Sequence, residues 1–127
     1  MSATLLQRVR DHLAGGNLLD GYTVRYFRWT DDNGSEPTIL FRMAGTQGAL
    51  TDFSVQYPDV QVTLIGTPTT VVDDSERCRE IYQYVRENFE IDGGLNIEPL
   101  TAVSGPLYLE DGRPWFQLDF RVLVSDH

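Results

Sequence analysis

The last long apolar segment, residues 115–124, constrains the fold of this chain more than any other stretch. Large apolar side chains occupy every second position from Phe116 onwards, and Gln117, Asp119 and Arg121 lie between them. Side chains alternate between the two sides of an extended strand, so this pattern predicts a half-buried β-strand. Each of its apolar side chains stabilises the fold by roughly 1.5–3 kcal/mol once buried. The strand therefore requires a sheet beside it and helices over its apolar side, which consists of Phe116, Leu118, Phe120, Val122 and Val124.

The length of 127 residues fits one domain with one hydrophobic core. We therefore expect a single domain over residues 1–127. No run approaches the roughly 18 consecutive apolar residues of a membrane-spanning helix, so we expect no membrane contact. The only cysteine, Cys78, excludes an intramolecular disulfide and a cysteine-based zinc cage, which fits a reducing compartment.

The chain carries a net charge of −9, from 19 acidic and 10 basic residues. The basic residues are spread among the acids, so the chain as a whole should repel a phosphate backbone. We expect no specific nucleic-acid binding. The first ten residues lack the basic-then-apolar order of a secretory signal, and we expect the protein to stay in the cytoplasm, where it is made.

Two helices are predicted from apolar side chains at helical spacing. The first covers residues 4–13 and ends at two consecutive glycines. The second begins near Asp73 and Glu76, whose spacing is that of a capping box. Its apolar stripe should contain Cys78, Ile81, Tyr82, Val85 and Phe89.

Strands are predicted at residues 22–29, 38–43, 53–65, 95–103, 107–110 and 115–124. The first two should pair as a hairpin across the turn-forming residues 31–37, and the last two across Asp111 and Gly112. The order α-β-β-β-α-β-β-β predicts an α+β fold with one mixed, mainly antiparallel sheet and both helices packed on one face.

The sheet face away from the helices should be apolar at several positions. Four large apolar residues alternate with the core residues of their strands and so face the other side of the sheet: Leu40, Ile65, Trp115 and Leu123. Trp29 joins them if its strand extends that far. A small monomer rarely leaves so many large apolar side chains together in water, so we predict that these residues form an interface between copies of the chain. The alternatives are that loops cover them or that the register assigned to the strands is wrong.

The sequence favours a non-enzymatic role without a cofactor or a metal ion. The only histidines are His12, in the first helix, and His127, and neither is placed beside a nucleophile. Cys78 lies on the apolar stripe and is interpreted as a core residue. The acidic residues of segment 31–36 lack the spacing of a calcium loop, although they leave adventitious cation binding open. A glycosidase-type carboxylate pair also stays open.

Three phrases of the sequence together resemble a known family: residues 57–62 leading to Gly66, the helix around Ile81 and Tyr82, and Gly112-Arg113-Pro114-Trp115-Phe116-Gln117-Leu118-Asp119-Phe120. They are similar to the tail terminator or minor capsid (minor tail) proteins of long-tailed bacteriophages. The resemblance implies a structural virion protein that forms a six-fold ring at the head-proximal end of the tail. Such a ring ends tail polymerisation and joins the tail to the head. The implied partners are further copies of the chain, the tail tube protein and the head-tail connector or neck protein.

Loops supply the remaining candidate residues under this interpretation. We expect the glycine-containing segment 44–52 and a hairpin tip to contact the tube or connector. The candidate residues are Gly45, Thr46, Gln47, Gly48, Asp111 and Gly112. A channel that lets DNA slide should not bind phosphates, which makes four acidic residues candidates to face it: Asp31, Asp32, Glu36 and Asp52.

Two other functions remain open at this point. One is a neighbouring head-completion or neck connector protein, which its binding partner would distinguish. The other is a small acidic enzyme or ligand-binding domain, which a deep polar pocket with convergent carboxylates would favour.

Overall fold

The computed structural model describes residues 5–26, 36–44, 59–91, 95–110 and 112–124. Two helices and seven strands lie in these ranges. In chain order they are α1 (Leu5–Ala14), β1 (Thr23–Tyr26), β2 (Thr38–Ala44), β3 (Asp59–Ile65), α2 (Val71–Glu87), β4 (Glu90–Ile91), β5 (Leu95–Pro99), β6 (Ser104–Tyr108) and β7 (Pro114–Val124).

One sheet contains all seven strands. Its order is β1-β2-β3-β7-β5-β4, and β6 pairs with β7 outside this path. The long strand β7 is the centre of the sheet, because β3 runs along one side of it while β6 and β5 pair with different parts of its other side. All pairings are antiparallel except that of β1 with β2. The predicted α+β class and mixed, mainly antiparallel sheet are confirmed.

Both helices cover the same face of this sheet. The apolar stripe of α1 buries Leu6, Val9 and Leu13, and that of α2 buries Cys78 and two further residues. Together with alternate residues of the strands they form one core cluster. The alternation predicted for the last strand is confirmed by its buried side, which is Phe116, Leu118, Phe120 and Val122.

The hairpin predicted between the first two strands is wrong. The strands β1 and β2 are neighbours, but they run parallel, with Thr23 opposite Thr38 and Tyr26 opposite Phe41. A tight turn reverses the chain, whereas a parallel pair needs a connection that returns to the start of the first strand. Residues 27–37 are long enough for that return, so the turn-forming residues in this segment do not by themselves indicate a hairpin.

Two details of the second helix also differ from the prediction. It begins at Val71 after Thr70, so Asp73 lies in the first turn and is not the cap. Phe89 was predicted to extend the apolar stripe, but it follows the end of the helix and is exposed. The short strand β4 was not predicted, because two residues give no periodicity to detect.

The predicted hairpin between the last two strands is confirmed. β6 pairs antiparallel with β7, and Gly112 adopts a φ of +90° between them, a conformation that glycine reaches without steric cost. The N–H of Leu109 donates to the carbonyl of Arg113 at 2.9 Å and closes the turn.

Candidate interaction surface

The sheet face opposite the helices is the candidate surface, and we call it the distal face. Its residues follow from the strand registers and from the alternation of side chains. No helix lies over this face in the described parts of the chain. Its members are Thr23, Arg25, Thr38, Leu40, Arg42, Asp59, Gln61, Thr63, Ile65, Glu90, Asn96, Glu98, Ser104, Leu107, Trp115, Gln117, Asp119, Arg121 and Leu123.

One end of the distal face is apolar. Ile65 lies directly opposite Trp115, and Trp115 lies opposite Leu107 on the next strand, so the three side chains form a row across the sheet. Leu40 is a diagonal neighbour of Ile65. Leu40 and Ile65 are only 5% and 4% exposed, Trp115 is half-buried, and Leu107 is 49% exposed. The accessible apolar surface of this row therefore comes mainly from Trp115 and Leu107.

The structure brings three of the four predicted interface residues together and separates the fourth. Leu123 lies near the other end of β7 from Trp115, roughly 25 Å away at the usual strand rise. Its neighbour across the sheet is Asn96. Sequence reasoning missed Leu107, although its place opposite Trp115 follows from the hairpin at Gly112, once the register of that hairpin is known.

Apart from Leu123, the rest of the distal face is polar, and side-chain contacts order it. Arg42 donates through Nε to Oε1 of Gln61 at 2.8 Å. Arg121 donates through Nε to Oδ1 of Asp59 at 3.3 Å, and this ion pair joins β7 to β3. These contacts cross between neighbouring strands and hold the long side chains close to the sheet.

A buried arginine fixes the apolar end of the distal face. Arg113 is only 2% exposed, and its Nε donates to the carbonyl of Gly66 at 2.8 Å while an Nη donates to the carbonyl of Glu36 at 2.6 Å. These bonds tie the β6–β7 hairpin to the end of β3 and to the residues before β2. Trp115, two positions later, is thereby held in its place beside Ile65. Burial of an arginine has no sequence signature, and this residue was not predicted.

A buried carboxylate holds the start of α2 against the same end of the sheet. Asp74 accepts hydrogen bonds from the Tyr22 hydroxyl at 2.5 Å and from the Thr70 hydroxyl at 2.7 Å. Arg77 lies over the ring of Tyr22 and donates to the carbonyls of Leu18 and Asp20. The connection between α1 and β1 is thus bonded to the first two turns of α2.

Two pKa values are raised in this region. Burial raises the pKa of the Tyr22 hydroxyl well above its usual value. The hydrogen bond to Asp74 and the negative charge of Asp74 raise this pKa further, whereas the positive charge of Arg77 lowers it. Burial, reinforced by Asp74, also raises the pKa of the Cys78 thiol to about 12. A thiol with so high a pKa is a poor nucleophile at neutral pH, because the thiolate is the reactive form.

The loop candidates fall mostly outside the described residues. The candidates outside the described residues are Asp31, Asp32, Asp52, Gly45, Thr46, Gln47, Gly48 and Asp111. Glu36 is exposed, and its carboxylate accepts a hydrogen bond from the Thr23 hydroxyl at 3.2 Å. Gly112 is exposed at the tip of the hairpin.

The described residues offer little for catalysis or metal binding. No three His, Cys, Asp or Glu side chains in these ranges are grouped so that they could hold a metal ion. Nε2 of His12 lies 2.6 Å from the carbonyl of Asn88, so it carries the proton and donates to it. None of the described helices is long and apolar enough to cross a membrane.

Comparison with known protein families finds a match for this chain. The family of phage tail termination proteins matches residues 2–126, nearly the whole chain. The chain belongs to that family. The resemblance detected in the sequence is therefore confirmed, and the protein is a structural phage tail protein whose location is the virion tail. Among the curated proteins compared with it, none is similar enough in sequence to match.

Family membership favours a structural role over an enzymatic one. Phage tail termination proteins act as structural components, which points away from an enzyme.

Proposed function

We propose that this phage tail termination protein forms a ring, with six copies as the expected number, that caps the tail tube at its head-proximal end. The ring ends tail polymerisation and offers its other side to the head-tail connector. The observation that carries this proposal is the row of Ile65, Trp115 and Leu107 on the distal face. Leu40 lies beneath the surface next to this row, and Leu123 would contribute only where the contact extends along β7.

The composition of the distal face supports contacts between like subunits. Its described charges are three arginines and four acids, a net of −1, whereas the whole chain carries −9. The described part of this face therefore carries little of the net negative charge, so two copies that meet through it bring together little charge of like sign. Aromatic residues and arginine are also the side chains enriched in protein interfaces.

The first experiment measures self-association by native mass spectrometry and analytical ultracentrifugation. Leu107→Asp should reduce the oligomer, because it places a charge in the exposed part of the apolar row. Val72→Asp is the matched control, since Val72 is 78% exposed on α2 and lies away from the distal face. If the wild-type protein stays monomeric at its highest soluble concentration, the self-assembling ring is overturned.

The second experiment tests termination of the tail tube. Purified tail tube protein should polymerise into tubes that stop at shorter lengths when this protein is added, as measured by electron microscopy. The proposed contacts with the tube or connector are Gly45, Thr46, Gln47, Gly48, Asp111 and Gly112. Deletion of residues 45–50 should leave the far-UV circular dichroism unchanged but abolish the shortening. Loss of the folded signal in that variant would instead assign the segment to the core.

The third part of the proposal is an acidic channel through the ring. The candidates are Asp31, Asp32, Glu36 and Asp52, whose negative charge would prevent the wall from binding DNA phosphates. Neutralising them as Asn or Gln should increase retention of DNA by the assembled ring at low salt. A ring structure with a basic lumen would contradict this assignment.

A further inference from the structure

The charges of the distal face change sign from one edge of the sheet to the other. The first two strands in the sheet order carry Arg25 on β1 and Arg42 on β2. The last two strands carry Glu98 on β5 and Glu90 on β4. The face is therefore positive towards one edge and negative towards the other.

The charges in the middle of the face are those of Asp59, Asp119 and Arg121, which sum to −1. Asp59 and Arg121 form an ion pair between β3 and β7. Asp119 accepts a hydrogen bond from Gln117 at 3.3 Å. Arg121 also lies directly opposite Glu98 in the strand register, but its ion pair is with Asp59. The central net charge of −1 is smaller than the difference between the two edges.

The edge charges are available to a partner. Within the described residues, no ion pair joins Arg25, Arg42, Glu90 or Glu98 to an oppositely charged side chain. Arg42 is bonded to Gln61, which is neutral. Glu36, just before β2, lowers the positive excess at its edge by one charge, because its carboxylate is held by Thr23. Among the described residues, a net charge of +1 therefore remains on the β1–β2 side, and a net charge of −2 lies on the β5–β4 side.

We infer that copies of the chain meet head to tail, with the β1–β2 edge of one distal face against the β5–β4 edge of the next. This inference rests on the proposed ring and adds the direction in which its subunits contact each other. Heterologous contacts of this kind use two different patches on each subunit and close into rings when the rotation permits. A side-by-side contact between two identical edges would instead oppose like charges, which is unfavourable.

The test uses charge reversal on the two edges of the full-length protein. Arg42→Glu and Glu98→Arg each place like charges across every contact, so each should weaken self-association at least about tenfold. The association of the wild type should also weaken as ionic strength rises, because salt screens exposed charges. The matched controls are Arg79→Glu and Glu87→Arg, which reverse exposed charges on α2. Circular dichroism checks that all four variants fold.

Mixing the two single variants provides the decisive measurement. In an equimolar mixture, the carboxylate introduced at position 42 of the first variant faces the guanidinium introduced at position 98 of the second. At the next contact, the unchanged Arg42 of the second variant faces the unchanged Glu98 of the first. The mixture should therefore regain oligomers of the wild-type number, with the two variants in equal amounts by native mass spectrometry. The double variant R42E/E98R should likewise assemble alone.

The outcomes separate this inference from the proposed function. If the wild type assembles and both single variants assemble equally well, the head-to-tail contact is overturned while the ring stands. If the mixture yields only dimers, the contact is a two-fold face-to-face one and the inference is again overturned. If the wild type does not assemble at all, the proposed ring is overturned, and the inference that rests on it is overturned as well.

Discussion

The carboxylate of Asp74 lies directly against Gly66, the residue that follows β3. A Cβ atom on Gly66 would lie 1.6 Å from Oδ2 of Asp74, far inside any allowed contact. Only glycine permits the end of β3 to approach α2 this closely. The same glycine accepts the hydrogen bond from buried Arg113, so two buried charged groups meet at one backbone position.

The first prediction concerns this close approach. Gly66→Ala should lower the free energy of unfolding by about 2 kcal/mol or more, because Asp74 or the backbone must shift. In the background of Asp74→Ala, the same substitution should cost much less, since the oxygen that it meets is gone. Urea unfolding of the two single variants and the double variant measures this coupling. Additive costs would contradict the contact.

The second prediction concerns the hydroxyl of Tyr22. Tyr22→Phe removes a hydrogen bond to a buried carboxylate and should lower the free energy of unfolding by about 1.5–3 kcal/mol. Tyr108→Phe is the matched control, because Tyr108 is exposed on β6, and it should change stability by less than about 0.5 kcal/mol. Equal effects of the two substitutions in urea unfolding would show that the Tyr22 hydroxyl contributes nothing.

The third prediction is a loss of stability at alkaline pH. Burial raises the pKa of the Cys78 thiol from its ordinary value of 9.0 to about 12, so the folded state retains the thiol proton to higher pH than the unfolded chain does. Its stabilising contribution is complete below pH 9 and is lost as the pH rises towards 12, with a slope of up to about 1.4 kcal/mol per pH unit. The raised pKa of Tyr22 acts in the same direction above pH 10.

Single substitutions distinguish the contribution of the Cys78 thiol from that of the Tyr22 hydroxyl. Cys78→Ala should flatten the dependence of unfolding free energy on pH between 9 and 12, and Tyr22→Phe should flatten it only above 10. The comparison uses the slopes of unfolding free energy against pH and not the absolute stabilities of the variants, because the substitution by alanine also leaves a small cavity. An unchanged slope in Cys78→Ala would contradict a protonated, buried thiol.

The fourth prediction concerns buried Arg113. Arg113→Ala removes the donors to the carbonyls of Gly66 and Glu36 and should destabilise the protein by about 3 kcal/mol. Arg79→Ala, at an exposed arginine paired with Glu76, should cost less than about 1 kcal/mol. Near-UV circular dichroism should also report a change around Trp115 in the Arg113 variant alone. Similar urea midpoints for both variants would refute this role of Arg113.

Local periodicity was enough to identify most of the fold. The alternation after Trp115 placed Phe116, Leu118, Phe120 and Val122 in the core, and helical spacing identified the buried side of both helices. These predictions succeed because the side on which a residue lies depends on backbone geometry over a few neighbouring positions. The same reasoning placed Leu40, Ile65 and Trp115 together on the distal face.

The relation between distant segments was not contained in those local patterns. The parallel pairing of β1 with β2 depends on the path of the chain between them, which the turn-forming residues do not specify. The distance between Leu123 and Trp115 follows from the length of β7, and the row through Leu107 follows from the register of the last hairpin.

The sequence by itself determined the class of the fold, the core face of each long element and the family to which the chain belongs. Only the tertiary structure decided the order of the strands beyond the last hairpin, the parallel pairing of β1 with β2, the burial of Arg113 and Asp74, and the opposite charges of the described residues at the two edges of the distal face. The physical reason is that the side a residue faces is set by its neighbours along the chain. Strand order and the burial of charge are set by hydrogen bonds and packing between residues far apart in sequence.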